Sequence, residues 1–582
     1  MPIKRVVAPQ IDFSGLRREL GLPDEFPEAV LAEAGEAARA TRMPETDRSA
    51  IEFVTIDPAS SRDLDQAMHL SRRPGGGYRV HYAIADVASY VRPGGVLEAE
   101  SWRRGQTVYL PDGRVPLHPP VLSEDAVSLL PGVDRAAVVW TIDLDGDGET
   151  VAVRLERARV RSRAKLDYAG VQRQIDAGTA PEMLTLLPEI GGLLARRASD
   201  RGAVNLPLPS QDVERDSGGW RLVLRAPLPI EEHNAQISLL TGMAAARIML
   251  DGGIGLLRTM PRPKPEAVEK LRAAAGPLGI PWPDGAQVGA VIAAVDPADP
   301  RGAAFLDQAA ELLRGAAYTA FGVPTPPEPG RGGATQGAAA QGAAQGAAGQ
   351  GAAGQGAAAQ GAAGQGAAAQ GAASQGAAAQ GAASQGAAAQ GAAGQGAAAR
   401  GAADHGTAGR GAAAEARRRE GDGQRPESGG DVPGLPEDAG HGGVGAPYAH
   451  VTAPLRRLAD RYATEACLAM YEGRPVPGWV LDALPRLPRA MSSTDRVAGA
   501  ADRGAIDLAE AVLLQGRIGE VFEAAVLDRE DANGKRPAGG TIALDEPAVR
   551  ARCAGDLPLG ERVAVRLTAA DPESRTVRFE KA

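Results

Sequence analysis

The spacing of apolar and polar residues predicts helices and strands over most of this chain. The first 50 residues are typical of helix, with Pro27 just before the strong helix formers at 28–34, where a first turn tolerates proline. Residues 51–56 (IEFVTI) and 79–87 (RVHYAIADV) predict strands, separated by a loop with three glycines at 75–77. This mixture predicts an α+β fold, a mixed sheet with surrounding helices. Helical periodicity follows at roughly 182–200, 233–251, 264–275 and 303–321.

The last 70 residues have a different pattern. Short stretches of alternating apolar and polar residues are separated by Gly, Pro and Asp turns, at 516–528, 539–545, 561–571 and 574–582. This pattern is typical of a small β-barrel of the OB type. Such barrels often bind single-stranded nucleic acid, but a fold alone does not establish that function.

Gly, Ala, Gln and Arg dominate the 119 residues at 324–442, which repeat Gln-Gly-Ala-Ala from Gln336 to about Arg400. A glycine in each repeat costs a helix roughly 1 kcal/mol, and no residue larger than Ala is available to bury. We therefore expect a disordered insertion, which a fold tolerates because closure entropy grows only logarithmically with loop length. The expected organisation is a helical extension at 1–47, a domain in two parts at 48–323 and 443–512, the insertion at 324–442, and the barrel at 513–582.

Positive charges alternate along one predicted strand. Alternate residues of a strand share a face, so five cations would line one side of it. One interpretation is an edge strand that its charges protect from aggregation. The other is a surface for a phosphate backbone, and the pattern alone leaves both open. The five cations are Arg157, Arg159, Arg161, Arg163 and Lys165.

Composition narrows the class of protein. There are 63 Lys and Arg against 72 Asp and Glu, a net charge of −9, which excludes a nonspecific polycation but not a local cationic groove. Two cysteines, Cys467 and Cys553, are too few for a disulfide framework or a zinc cluster. The start, MPIKRVVAPQ, lacks the apolar core of a secretion signal, and no stretch is apolar enough to span a bilayer. We expect a soluble, cytoplasmic protein with no membrane partner.

The sharpest candidate chemistry lies in the segment TIDPASSRDLDQAM, which holds Asp57, Asp63 and Asp65 within nine residues. Three carboxylates packed together without a cation would repel one another and raise each other's pKa. Mg²⁺ removes that penalty because it binds carboxylate oxygens and keeps positions open for water and phosphate. On a regular strand Asp63 and Asp65 would point the same way, and Leu64 and Gln66 the other. A Ca²⁺-like loop or a solvated Asp turn are the alternatives.

Five sequence blocks in this chain resemble the ribonuclease II/ribonuclease R (RNB) family. The resemblance implies a 3′-to-5′ hydrolytic exoribonuclease that degrades single-stranded RNA to nucleoside 5′-monophosphates. It also implies Mg²⁺, with Mn²⁺ as an alternative, and no organic cofactor. The blocks are TIDPASSRDLDQAM at 55–68, HYAIADVASYVRPGG at 81–95, TVYLPDGRVPLHPPVLSEDAVSLLPG at 107–132, SRAKLDY at 162–168 and YAHVTAPLRRLAD at 448–460.

The resemblance also implies roles for the acidic segment and for one arginine. Asp57, Asp63 and Asp65 match three of the four acidic metal-binding positions of the family, and Gln66 stands at the fourth. A glutamine offers a metal a neutral oxygen but no charge. Arg456, in APLRR, matches the arginine that neutralises the scissile phosphate, and its guanidinium suits phosphate oxygens.

Further positions are implied to bind RNA. Tyr168 resembles the aromatic residue that stacks on the terminal bases, and Tyr109 resembles one that contacts the RNA farther out. Asp502 stands where the family usually has a glutamate that holds the terminal base. The resemblance also favours an RNA-facing role for Arg159, Arg161 and Arg163.

Two departures qualify the expected function. Gln66 can weaken or abolish the metal site, so the alternative is an RNA-binding pseudoenzyme without catalysis. Only about 50 residues precede the acidic segment, too few for the cold-shock domains that family members usually carry there. We expect a short form of the family, monomeric, with single-stranded RNA as its partner.

Overall fold

The computed structural model describes residues 8, 10–206, 209–216, 219–323, 439–532 and 537–582. Five strands form a closed barrel in the order β1, β2, β3, β6, β7. Neighbouring strands are antiparallel except β7 and β1, which are parallel and close the barrel. Their bounds are Phe53–Asp57 (β1), Gln66–Arg72 (β2), Tyr78–Ala85 (β3), Asp134–Leu144 (β6) and Thr150–Asp167 (β7).

Strand β2 occupies part of the segment that the sequence pattern assigned to a loop. The glycine turn is confined to Gly75–Gly77, whose backbone φ angles are all positive, and it joins β2 to β3. Met68 and Leu70 of β2 are buried in the core, and His69 and Ser71 beside them are only partly buried, so the strand alternates over a stretch too short and polar for the prediction to include. The sequence pattern predicted two strands joined by a loop, and it was wrong because it missed β2 between them.

The cation-rich strand β7 is not an edge strand. Residues 162–167 pair with β1, and the rest of the strand pairs with β6. The other side of Arg159 is covered as well, because its N–H donates to the carbonyl of Thr46 and its carbonyl accepts from the N–H of Arg48. The edge-strand interpretation fails because β7 pairs with β6 and β1 along its length, and residues 46–48 cover its other side at Arg159.

The described part of the chain contains twelve α-helices. The pattern at 303–321 was only partly helical: the helix ends at Ala309, and Ala317–Phe321 pairs as a strand with Gly255–Thr259. Gly315, with φ of 87°, turns the chain between them. The helices are Ser14–Glu19 (α1), Glu28–Ala40 (α2), Val96–Arg104 (α3), Tyr168–Asp176 (α4), Glu182–Asp200 (α5), Pro229–Gly252 (α6), Pro265–Ala275 (α7), Val288–Ala293 (α8), Pro300–Ala309 (α9), Leu458–Tyr471 (α10), Gly478–Ala483 (α11) and Leu487–Leu514 (α12).

The low-complexity stretch leaves and rejoins the fold at neighbouring points. Its predicted disorder concerns residues 324–438, which lie outside the described residues. Residues 440–442, which the prediction placed in the insertion, are ordered: Gly440 and Gly442 exchange backbone hydrogen bonds with Met260.

The remaining strands are Val108–Leu110 (β4), Gly113–Val115 (β5), Ser210–Asp216 (β8), Gly219–Arg225 (β9), Gly255–Thr259 (β10), Ala317–Phe321 (β11), Gly440–His441 (β12) and Ala446–Pro447 (β13).

The C-terminal residues form a second closed barrel, as the alternating pattern predicted, with its strands in the order β14, β15, β16, β18, β17. The pattern missed β16, because only Ala551 and Cys553 of its residues face the barrel core. No helix in the described ranges is both long and apolar enough to cross a bilayer. The α+β prediction is confirmed. The barrel strands are Val521–Glu530 (β14), Gly539–Leu544 (β15), Arg550–Ala554 (β16), Arg562–Asp571 (β17) and Thr576–Lys581 (β18).

Candidate active site

The acidic segment forms one wall of a pocket. Asp57 is the last residue of β1, and the chain then turns between Pro58 and Ser61. Leu64 is fully buried, and its backbone is fixed because its N–H donates to Ser128 Oγ at 2.9 Å. With Leu64 anchored in the core, the chain places Asp57, Asp63 and Asp65 around one pocket.

Gln66 lines the same pocket, contrary to the orientation expected from strand alternation. The side-chain amide of Gln66 donates to the carbonyl of Thr452 at 2.5 Å, and its carbonyl oxygen accepts from the phenol of Tyr82 at 2.6 Å. Alternation failed because β2 begins only at Gln66, so Asp63 and Asp65 do not belong to a regular strand. Gln66 therefore links three segments of the chain beside the carboxylates.

A short hairpin supplies a second wall. Tyr109 of β4 and Arg114 of β5 lie directly opposite each other in register. The Arg114 guanidinium donates to Asp63 Oδ1 at 2.6 Å, and the Tyr109 phenol donates to Asp63 Oδ2 at 3.3 Å. Sequence reasoning identified Tyr109 and missed Arg114. The signal was the two-residue Pro-Asp turn, which places the flanking residues side by side on one face of a hairpin.

The loop before α10 brings Arg456 to the pocket from almost 400 residues along the chain. The Arg456 Nε lies 3.2 Å from Asp65 Oδ2, and the N–H of Leu455 donates to Asp65 Oδ1 at 2.7 Å. The loop is held in turn by Asp460, which is fully buried and accepts from the N–H of Ala453 at 2.7 Å and twice from Arg457 at 2.9 Å. The position of Arg456 is thus fixed by buried hydrogen bonds.

Together these segments enclose a small pocket of about 50 Å³. It gathers the three predicted aspartates, the predicted arginine, Gln66 and one of the two predicted tyrosines. The lining residues are Asp57, Pro58, Ser60, Ser61, Asp63, Asp65, Gln66, Tyr109, Arg114 and Arg456.

Burial dominates the electrostatics of the two inner carboxylates. It raises the pKa of Asp57 to about 7 and that of Asp65 to about 8, against the opposing pull of the positive charge of Arg456. The negative charge of Asp63 adds to both increases. Ionising these two groups side by side is therefore costly unless a further cation is present.

The atoms of the pocket that could bind a metal are chemically suited to a hard divalent cation. Every candidate ligand is an oxygen, and the Oδ2 atom of Asp57 is buried without a hydrogen-bond partner, as an atom reserved for a cation would be. Among the described residues, however, no three His, Cys, Asp or Glu side chains are grouped closely enough to form a metal site on their own. A bound ion would therefore complete its shell with water or phosphate oxygens, as Mg²⁺ usually does.

Two other predicted residues lie outside the pocket lining. Tyr168 begins α4, and its phenol oxygen accepts from Asn234 at 3.1 Å. Asp57 pairs in register with Asp167, the residue before Tyr168, so Tyr168 begins α4 next to the end of β1. Burial raises the pKa of Tyr168, and the charge of Asp57 adds to the increase. Asp502 lies on α12, and its side chain is exposed and outside the pocket lining.

The predicted arginines of β7 bind groups of the protein itself. Arg159 contacts Asp47, and Arg161 donates to Asp134 at 2.7 Å. Arg163 donates to the carbonyl of Ser49 at 2.7 Å. The structure therefore does not bring these three side chains into the pocket.

Comparison with known proteins gives matches along the chain. The profile of the RNB domain matches residues 45–316, and that of the RNase II-type exonuclease C-terminal S1 domain matches residues 520–582. Exosome complex exonuclease RRP44 homolog A of Arabidopsis thaliana is 30% identical over 241 residues, 39% of this chain and 25% of its own length. Ribonuclease R of Chlamydia muridarum is 32% identical over 214 residues, 35% of this chain and 31% of its own length. The chain thus matches about a quarter to a third of each relative.

The fold is similar to that of ribonuclease R from Mycoplasma genitalium. Structures of that protein, apo and in complex with ribose methylated single-stranded RNA, align with a TM-score of 0.69 and 16% sequence identity. The alignment covers 98% of this chain and 77% of the other. At that identity the likeness establishes the fold alone.

Proposed function

The chain belongs to the RNB family, and we propose from that premise that it is a metal-dependent 3′-to-5′ exoribonuclease acting on single-stranded RNA. The observation that carries the proposal is the convergence of Asp57, Asp63, Asp65 and Arg456 on one pocket. Two relatives that are similar in sequence are named exonuclease and ribonuclease, and a protein of similar fold has been solved with single-stranded RNA bound.

In phosphodiester hydrolysis, the aspartates and the arginine of the pocket would have different roles. Asp57, Asp63 and Asp65 would hold a divalent ion, Mg²⁺ in our proposal with Mn²⁺ as a substitute. When bound, such an ion supplies charge neutralisation and an activated water at phosphorus. Arg456, fixed beside Asp65, would bind the scissile phosphate and stabilise the charge that develops on its oxygens. The products would be nucleoside 5′-monophosphates.

The tyrosines would hold the RNA chain. Stacking on an aromatic face is tolerant of sequence, which suits an enzyme that removes any terminal nucleotide. Tyr109 lines the pocket, and Tyr168 follows Asp167, which pairs in register with Asp57. The arginines of β7 have partners within the protein and, like Asp502, lie outside the pocket lining, so their contact with RNA stays a prediction about the chain beyond the pocket.

The first test is a denaturing gel of 5′-labelled single-stranded RNA incubated with the protein and Mg²⁺ or Mn²⁺. We expect a ladder that shortens from the 3′ end and disappears in Asp65→Asn. Arg456→Lys keeps the charge but not the planar guanidinium, and should slow cleavage by about 10²–10³-fold. Asp482→Asn, an exposed site on α11, is the control and should cleave like the wild type.

One outcome would favour the alternative function. A carboxamide is neutral, so Gln66 brings no negative charge to the pocket, and its carbonyl oxygen already accepts from Tyr82 while its amide donates to Thr452. Intact RNA with both metals, together with a gel shift of the same RNA, would replace the exoribonuclease with an RNA-binding pseudoenzyme. Intact RNA without a gel shift would contradict both.

A further inference from the structure

Helix α12 carries three arginines on one side, Arg489, Arg496 and Arg503, which we call the arginine row. Steps of seven residues are close to two full turns of an α-helix, so the three side chains leave the helix in nearly the same direction. At a rise of about 1.5 Å per residue, the row is about 21 Å long. Arg489 and Arg496 are exposed, and Arg503 is partly exposed.

The guanidinium groups of the arginine row have no carboxylate partner. Within the described part of the chain, none of the three forms an ion pair. Arg496 Nε donates only to the carbonyl of Ser492 in its own helix, at 3.3 Å. The arginines of β7 differ, because Arg159 and Arg161 are paired with aspartates. The row therefore keeps donors that an external anion can use.

The acidic residues of α12 leave the first two arginines of the row unopposed. Asp495 is the one acidic residue at positions 487–501, and it is paired with Arg258 at 3.3 Å. Asp502 is the neighbour of Arg503 in the sequence, and Asp507 lies about one helical turn after it. These two carboxylates reduce the positive potential at the end of the row without forming an ion pair with it.

Small side chains separate the arginines on the same side of the helix. Ser492 and Ser493 are exposed, and Gly499 and Ala500 are partly exposed. The guanidinium of Arg503 lies against Gly499, where a larger residue would meet it. An extended chain can therefore lie along the row without a bulky side chain of α12 in its way.

The helix that carries the row passes the loop of Arg456 and ends at the C-terminal barrel. Near its start, Thr494 packs against Gly105, whose carbonyl accepts from the N–H of Leu458 at 2.9 Å. Near its end, Glu510 accepts from the N–H of Arg550 in the barrel at 2.8 Å. The row thus lies along a path between the segment that carries Arg456 and the barrel.

We propose that the arginine row binds the phosphate backbone of single-stranded RNA, at a surface separate from the acidic pocket. The identity of the strand rests on the proposed function. A guanidinium stays charged at any physiological pH and offers two parallel N–H donors to phosphate oxygens. Backbone contacts carry no sequence information, so the row would hold any RNA whose 3′ end is in the pocket.

The salt dependence of RNA binding tests the inference. Fluorescence anisotropy of a labelled single-stranded RNA of about 25 nucleotides measures the affinity of the full-length protein at several KCl concentrations, in EDTA so that no metal-dependent cleavage occurs. Each phosphate contact contributes about 0.7 to the slope of log K against log salt for a single strand. Replacing Arg489, Arg496 and Arg503 together by Gln should therefore make the slope shallower by about 2.

Two further triple variants are the controls. Replacing the three arginines of the row by Lys keeps the charges and should keep the slope. Replacing Arg39 of α2, Arg196 of α5 and Arg301 of α9 by Gln removes the same charge from exposed side chains elsewhere, none of which forms an ion pair in the described ranges, and should leave the slope as in the wild type.

An unchanged slope in the Gln variant of the row would overturn the inference. An equal decrease in the Gln variant of the row and in the variant of α2, α5 and α9 would also overturn it, because the effect would then be one of net charge. If the Gln variant of the row does not fold, Arg496→Gln alone decides the matter, with an expected decrease of about 0.7 in the slope.

The outcomes separate this inference from the proposed function. A shallower slope in the Gln variant of the row, with no cleavage of RNA by the wild type, would contradict the exoribonuclease and leave the row as an RNA-binding surface. Cleavage by the wild type with an unchanged slope in the variant would do the opposite. A wild type that does not bind the RNA would overturn the inference.

Discussion

At the scale of single residues, the pocket is built from polar side chains whose partners lie far along the chain. Gln66 contacts Tyr82 sixteen residues away and Thr452 across the insertion. Its amide donates a hydrogen bond that no carboxylate can donate once ionised. Gln66 is therefore a structural link as well as a departure from the acidic motif.

The isosteric substitution Gln66→Glu tests this dual role. Glutamate still accepts from Tyr82, but when ionised it leaves the carbonyl of Thr452 without a donor and adds a fourth negative charge to the pocket. We expect the free energy of unfolding to fall by about 1–3 kcal/mol at pH 8. At pH 5 the loss should shrink, because a protonated carboxyl can donate. Urea unfolding of both proteins at both pH values measures this, and an equal loss at pH 5 and pH 8 would contradict it.

At the scale of elements, the loop that carries Arg456 is fixed by the first turn of α10. Asp460 is in that turn and binds the loop at Ala453 and Arg457. Asp460 is fully buried and the Arg457 side chain is 20% exposed, so their ion pair is largely buried. Such a pair adds little net stability, yet removing one partner is expensive because the other charge stays behind.

Asp460→Asn should therefore destabilise the protein more than a double change does. Asparagine can still accept from Ala453 but leaves the charge of Arg457 unpaired, so we expect a loss of about 3–5 kcal/mol in the free energy of unfolding. In Asp460→Asn with Arg457→Met no buried charge remains, and the loss should be smaller. Urea unfolding followed by circular dichroism measures both. A double variant less stable than the single one would contradict this account.

At the scale of the whole molecule, α12 connects the first part of the chain to the C-terminal barrel. Glu510 of α12 is buried, and its Oε1 atom accepts from Gln211 of β8 at 2.9 Å and from the N–H of Arg550 of β16 at 2.8 Å. Burial raises the pKa of Glu510 to about 7, and nearby Asp507 adds to the increase. The two hydrogen bonds and the charge of Arg550 oppose it.

Because the carboxyl group of Glu510 is buried, the free energy of unfolding should depend on pH. A pKa raised in the folded state means that the folded protein holds its proton more tightly, so stability is lost as pH rises from about 4.5 towards about 7. Glu510→Gln keeps the acceptor and removes the titration. Relative to the wild type, the variant should gain about 1–3 kcal/mol between pH 5 and pH 8. Unfolding by urea at both pH values tests this beside Glu269→Gln, an exposed control on α7. An unchanged pH dependence in Glu510→Gln would contradict it.

The sequence by itself determined the mixture of helices and strands, the C-terminal barrel, and the residues that line the pocket from the acidic motif, VYLP and APLRR. Those features are local, because hydrophobic periodicity and short motifs are properties of neighbouring residues. Only the tertiary structure decided that Arg114 pairs with Asp63, that Gln66 faces the pocket, and that the arginines of β7 bind the protein itself. Alternation along a strand predicts faces only where the strand is regular, and Asp63 and Asp65 precede β2. The partner of a buried charge is set by barrel closure and by loops hundreds of residues away, which no local pattern contains.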